Sequence, residues 1–227
     1  MKRNETRYDT KTLTAMAMLT ALAYAVMAVC KVIPKVGGFL SLDAIDAVIG
    51  VGGFLFGPMA AVMMIVVEAF IEAIALSTTG WYGFLMNVLS TTLLICPAVW
   101  LYRRRGGTSG AVMGLAVGVV FRLLGMIVFN YLITPFYFRM PRAAVVDMMP
   151  MIAVFNLVKG VLNAALLMAI YPPASAALRR IGLAAPSAAE GERRRFSYAP
   201  LIGALVVLLG AVLVVLYMME AFSTPLP

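Results

Sequence analysis

The sequence contains no histidine, only two cysteines, and charged side chains at only 12% of its 227 positions. Without histidine, the usual general base and the commonest transition-metal ligand are missing. Cys30 and Cys96 both sit in apolar runs and read as packing residues, not as a disulfide or a metal pair. No glycine loop followed by Lys-Ser or Lys-Thr is present to hold a phosphate, so any uphill work must draw on a partner. No long internal repeat is visible, which argues against a transporter built from inverted halves. Acidic residues number 10 against 18 lysines and arginines, a net charge of +8.

What the chain does have is apolar length. Hydrophobic residues make up 63% of it and the mean hydropathy is +0.98. A soluble domain of this size could not hide so much apolar surface, so the sequence reads as an all-α polytopic membrane protein. Runs of about 20 apolar residues span a bilayer. They occur at Leu13–Val32, Pro58–Leu76, Tyr82–Tyr102, Gly110–Thr134, Met148–Tyr171 and Tyr198–Tyr217. A shorter run, Ala44–Phe56, contains "GVGGF" and stops at "FGP"; it reads as a short or irregular helix. The opening "MKRNETRYDTK" is polar and basic, and no small-residue cleavage site follows, so a cleaved signal is not expected.

Orientation follows from the basic residues. With the N-terminus inside, 12 of the 18 lysines and arginines fall in cytoplasmic segments, among them Arg103 to Arg105, Arg179, Arg180 and Arg193 to Arg195. The positive charge therefore reads as topology, not as affinity for nucleic acid. "GLAAPSAAEGERRR" reads as a flexible linker. The expected organisation is a six-helix membrane domain over 1–182, a cytoplasmic linker over 183–197, and one additional C-terminal transmembrane helix with a short tail over 198–227.

Polar residues inside the spans carry the functional signal. "MIAVFNLVKGVLNAALLMAI" places Asn156 and Lys159 three residues apart in a spanning helix. A lysine at such depth costs about 2.5–3.5 kcal/mol on insertion scales, so its ammonium must be satisfied. Asn87, Asn130, Asp43 and Asp46 come from other segments but share the outer half of the bundle. Polar groups converging in an apolar wall are the makeup of a small-molecule pocket. The alternatives for these residues are interhelical packing and an ion pair that only fixes helix positions, with Glu68 as a partner for Arg122 or Lys159. Trp81, Tyr82, Tyr131, Phe136, Tyr137 and Phe138 lie at the same level. They read mainly as an interfacial belt, with Tyr131 carried forward as a ligand contact.

Four stretches match a known family in order and spacing: "FLSLDAIDAVIGVGGFLFGPMAA", "STTGWYGFLMNVLS", "FNYLITPFYFRMPRAAVV" and "FNLVKGVLNAALLMAIYPP". Over about Leu13 to Gly182 the chain resembles the substrate-binding (S) component of energy-coupling factor vitamin transporters, most closely the riboflavin-specific type. The resemblance implies a six-helix protein with an outward-facing pocket closed by the loop between the first two helices. It implies partnership with a membrane coupling (T) subunit and two ATPases in the cell membrane, and no cofactor beyond riboflavin as the transported ligand. Carried over residue by residue, binding roles fall on Asp43, Asn87, Asn130, Asn156 and Lys159. Ala17, Ala21 and Ala25 recur at intervals of four on the first helix. By spacing alone they fit contact within the bundle as well as contact with a partner; the resemblance favours docking on the coupling subunit.

Two alternatives stand beside this reading. An S component for another vitamin or flavin analogue is the nearer one. A membrane-embedded enzyme is the other, prompted by "DAIDAVIGVGG", which resembles the acidic motif of phosphatidyl-alcohol transferases but lacks the further aspartates that would hold a divalent metal.

Overall fold

The computed structural model describes residues 8–184 together with Val206, Leu209, Gly210, Leu213, Val214 and Tyr217. The described chain forms six helices: α1 (Thr10–Cys30), α2 (Ile45–Phe56), α3 (Pro58–Ala75), α4 (Gly80–Arg105), α5 (Gly107–Phe138) and α6 (Arg142–Arg180). Among the described residues the only β pairing is an isolated bridge between Val36 and Leu40. The all-helical expectation holds. The linker and the last span lie almost wholly outside the described residues; the six described positions of that span are helical.

Five of the six helices are long and apolar enough to cross a membrane. The exception is α2, whose 12 residues extend only about 18 Å, well short of a hydrocarbon core of about 30 Å. It is a regular helix, and its position explains its sequence. Ten of its residues are buried, because α1, α3, α4 and α6 surround it. A helix enclosed on all sides can be apolar all round. Gly57 ends it with a φ of 107°, a conformation that a side chain would strain, and Pro58 then opens α3 at the position where a missing N–H costs nothing.

The helices begin and end for local reasons. Asp9 caps α1, its carboxylate accepting from Thr12 N at 2.9 Å, and hydrogen bonding from the Thr12 side chain and then its backbone holds the Asp9 carboxyl below its ordinary pKa. α4 and α5 pack along one another at short range. A Cβ built on Gly118 would lie 2.1 Å from the carbonyl oxygen of Leu94, and one on Gly114 would lie 2.5 Å from that of Ala98. Small residues at such crossings let backbones approach, which is how membrane helices gain packing energy without a hydrophobic drive.

The bundle has two unlike ends. One carries the α1–α2, α3–α4 and α5–α6 connections and is called the loop end below. The other carries Arg103, Arg104, Arg105, Arg179 and Arg180 in the last turns of α4 and α6 and is called the arginine end. The main apolar core, built on Leu94, Ile95, Ala98, Val99, Leu115 and Leu167, lies toward the arginine end. α6 has 39 residues, so it runs about 58 Å and extends beyond both ends of the span expected from Met148 to Tyr171.

Candidate functional site

A cleft opens at the loop end. It encloses about 660 Å³ including the part open to solvent, and its walls come from the α1–α2 loop and from α3, α4, α5 and α6. The loop of residues 31–44 lies across it. Val36 and Leu40 exchange backbone hydrogen bonds at 3.0 Å, closing a tight turn through Gly37 and Gly38, both at positive φ. Val36 and Leu42 then pack with Met151, Phe155 and Leu162 of α6, so the loop sits on α6 through its own small apolar cluster.

Buried charge organises the wall. Lys159 is paired with Asp43 at 2.7 Å and donates to the carbonyl of Ser41 at 3.1 Å, tying α6 to the end of the loop. Arg122 on α5 pairs with Asp46 in the first turn of α2, and Asp46 also accepts from Thr91 of α4 at 2.6 Å. Lys31 pairs with Glu72 of α3 at 2.5 Å, and the same carboxylate accepts from the side-chain amide of Asn87. Each pair joins different elements, as expected where an unpaired charge would be costly. Glu68 pairs with neither Arg122 nor Lys159, contrary to the expectation from sequence. Those two cations are taken by the aspartates of the α2 entry, and Glu68 Oε1 is buried with no hydrogen-bond partner among the described residues.

Of the six residues expected to contact ligand, Asp43, Asn87, Asn130, Asn156 and Lys159 line this one cleft. Tyr131 does not. It faces outward on α5, beneath the guanidinium of Arg142 at 5.6 Å from its ring centre. Its neighbour in number, Asn130, points inward instead, and the aromatic in the wall is Tyr82, whose hydroxyl meets Thr134 at 2.9 Å.

Sequence reasoning also passed over Asn163. Its Oδ1 accepts from Ala47 N at 3.0 Å, and its amide donates to the carbonyl of Asp43 at 2.9 Å. A side chain on α6 thereby caps an orphan N–H in the first turn of α2. The signal was available: Asn163 follows Lys159 by four residues and so shares its helix face.

Counting donors shows what the site offers a ligand. An ammonium has three N–H groups, and Lys159 spends two within the protein. Asn156 and Asn130 each donate one amide hydrogen to the carbonyl four residues earlier, Ile152 at 2.9 Å and Met126 at 2.7 Å. Each keeps one. The wall therefore keeps one spare donor on each of these three side chains. Among the described residues no group of His, Cys, Asp or Glu is placed to hold a metal ion.

Fold and site together define a multi-pass membrane protein with a loop-covered polar cleft at one end. The family described as "ECF transporter, substrate-specific component" matches residues 11–171, and the chain belongs to that family. It is 23% identical over 165 residues to the riboflavin transporter FmnP of Bacillus subtilis (strain 168), covering 66% of this chain and 85% of that protein. It is 23% identical over 187 residues to the riboflavin transporter RibU of Staphylococcus aureus (strain TCH60), covering 79% of this chain and 98% of that one. A solved structure described as the S component of a bacterial ECF transporter has the same fold, with a TM-score of 0.65 at 23% identity over 75% of this chain and 98% of that one. The protein is thus a substrate-specific membrane component of a transporter.

Proposed function

We propose that the chain binds riboflavin in the loop-end cleft and delivers it for uptake driven by a membrane coupling subunit and two ATPases. The observation that carries the reading is the convergence of Asn87, Asn130, Asn156 and Lys159, from three helices, on a cleft covered by the α1–α2 loop. Riboflavin has a flat ring with an edge that alternates carbonyls and an N–H. The spare donors of Lys159, Asn156 and Asn130 suit its carbonyls. Buried polar partners of this kind discriminate strongly, because a wrong ligand leaves them unpaired. The two relatives named as riboflavin transporters point the same way.

The chain lies in the cell membrane with its N-terminus and arginine end in the cytoplasm, following the excess of basic residues there. The cleft then opens outward. Docking to the coupling subunit uses Ala17, Ala21 and Ala25. All three are exposed, while Ala15, Met16, Leu19, Ala23 and Met27 fill the buried face of α1. That exposure supports docking over packing among the six described helices, since small residues let another helix approach closely.

The test is the visible absorption spectrum of protein purified from cells grown with riboflavin, followed by a panel of vitamins offered to the stripped protein. A bound flavin band and selective rebinding of riboflavin are expected. A colourless protein that prefers another vitamin on rebinding would contradict the assignment.

A further inference from the structure

Glu72 touches two parts of the site that are otherwise separate. One oxygen of its carboxylate takes Lys31, at the root of the α1–α2 loop, at 2.5 Å. The other takes the side-chain amide of Asn87 on α4. The residue is buried, and its backbone carbonyl accepts from both Leu76 N at 3.0 Å and Ser77 N at 2.9 Å, so its main chain is pinned at the end of α3. The same loop is fastened a second time where Lys35 donates to Thr78.

A carboxylate offers acceptors only, so it fixes which way round the Asn87 amide sits: NH2 toward Glu72, carbonyl away from it. Asn130 and Asn156 each use their carbonyls within the protein, Asn130 toward Thr134 at 3.0 Å and Asn156 toward Arg122 at 3.5 Å. Asn87 lines the cleft, and its Oδ1 has no protein donor among the described residues. Among the three asparagine amides of the wall, it is the one whose acceptor is free.

We infer that Glu72 is a positioning residue that presents Asn87 as an acceptor for an N–H or O–H donor of the ligand and, through Lys31, anchors the loop that covers it. Recognition and closure then share one carboxylate. The inference rests on the reading that the cleft binds riboflavin, whose donors are the ring imide N–H and the side-chain hydroxyls.

The test uses the full chain in detergent and has two arms. The first needs no ligand. Val36, the loop residue buried against α6, is replaced by cysteine in a Cys30→Ala, Cys96→Ala background, and alkylation by a water-soluble maleimide reports loop opening. Glu72→Gln and Lys31→Met should each speed labelling about fivefold or more, the effect of losing one charge-assisted anchor.

The second arm compares affinities for riboflavin, 3-methylriboflavin (imide N–H blocked) and lumiflavin (no side-chain hydroxyls). Wild type should disfavour one analogue by about tenfold or more, the worth of one hydrogen bond left unmade. Which analogue it is tells whether the imide or a hydroxyl meets Asn87. Glu72→Gln frees the Asn87 amide to turn over, and the preference should fall below about threefold. Lys31→Met should leave the preference intact while speeding dissociation. A merely structural role for Glu72 would weaken all three flavins alike.

Labelling and preference both unchanged in Glu72→Gln would overturn the inference. Should wild-type protein not bind riboflavin at all, the proposed function and the recognition half fall together, and the labelling arm still decides the anchoring half.

Discussion

The same helices build two ends that obey different rules. Toward the arginine end, α4 and α5 touch backbone to backbone, with Gly114 and Gly118 against Ala98 and Leu94. The buried side chains there are mostly aliphatic, with polar additions in the paired hydroxyls of Tyr102 and Tyr171, 3.1 Å apart and packed on Phe54, and in Ser175, which donates to the Pro172 carbonyl. Toward the loop end, α4 and α5 contribute Asn87, Thr91, Arg122 and Asn130 instead, and three ion pairs join the elements. In lipid, close packing needs no partner other than shape, whereas each buried charge needs a specific one. The arginine end therefore holds the fold, and the loop end gives up close packing for specific polar pairs around the cleft.

The largest break in that contrast should come from the packed end. Gly118→Leu drives a side chain into the Leu94 backbone, which cannot yield as a side chain could. The expected outcome is loss of monodisperse protein on size exclusion. A well-folded Gly118→Leu variant would show that the close approach is not structural.

Next is the buried pair beneath the cleft. Arg122→Met leaves Asp46 uncompensated and should cost about 3–5 kcal/mol of stability, read from thermal unfolding in detergent. Adding Asp46→Leu should recover most of that loss without restoring ligand binding. Failure of the double variant to recover would mean that the pair does more than balance charge.

A smaller effect is expected for Asn163→Leu, which uncaps Ala47 N and frees the Asp43 carbonyl. About 1–3 kcal/mol should be lost, the cost of stranding buried polar groups. Unchanged unfolding would show that water replaces the amide.

At the bottom of the scale stands Ala21→Trp. Its side chain points outward, so stability should change by no more than about 0.5 kcal/mol. Riboflavin binding should persist while co-purification with the ATPase module is lost. Intact assembly in this variant would remove the docking face from α1.

Much of this contrast could be read in the chain itself. The spans follow from hydropathy, and Asn156 and Lys159 were conspicuous because polar groups at that depth demand a reason. Asn87 and Asn130 stood out similarly. What the sequence could not say was how the charges pair. Asp43, Asp46, Glu68 and Glu72 are all near Lys159 and Arg122 in depth, and depth alone leaves every pairing open. The choice is made by α2, whose buried first turn brings Asp46 to Arg122 and leaves Asp43 for Lys159. Tyr131 misled for a related reason: on a helix, adjacent residues diverge by about 100°, so Asn130 facing the cleft turns its neighbour away. The identity of α2 as a central buried helix was hidden because an apolar run of that length has no face to show.

Riboflavin titration of wild-type and Lys159→Met protein, followed by quenching of flavin fluorescence, tests the division of labour most directly. Lys159 supplies the spare ammonium donor of the cleft and takes no part in the packed end. A charge-assisted hydrogen bond is worth about 1.5–3 kcal/mol, so the variant, read on its monodisperse fraction because Asp43 is left unpaired, should bind riboflavin about thirtyfold more weakly or worse. Equal affinity in a folded Lys159→Met protein would contradict the account.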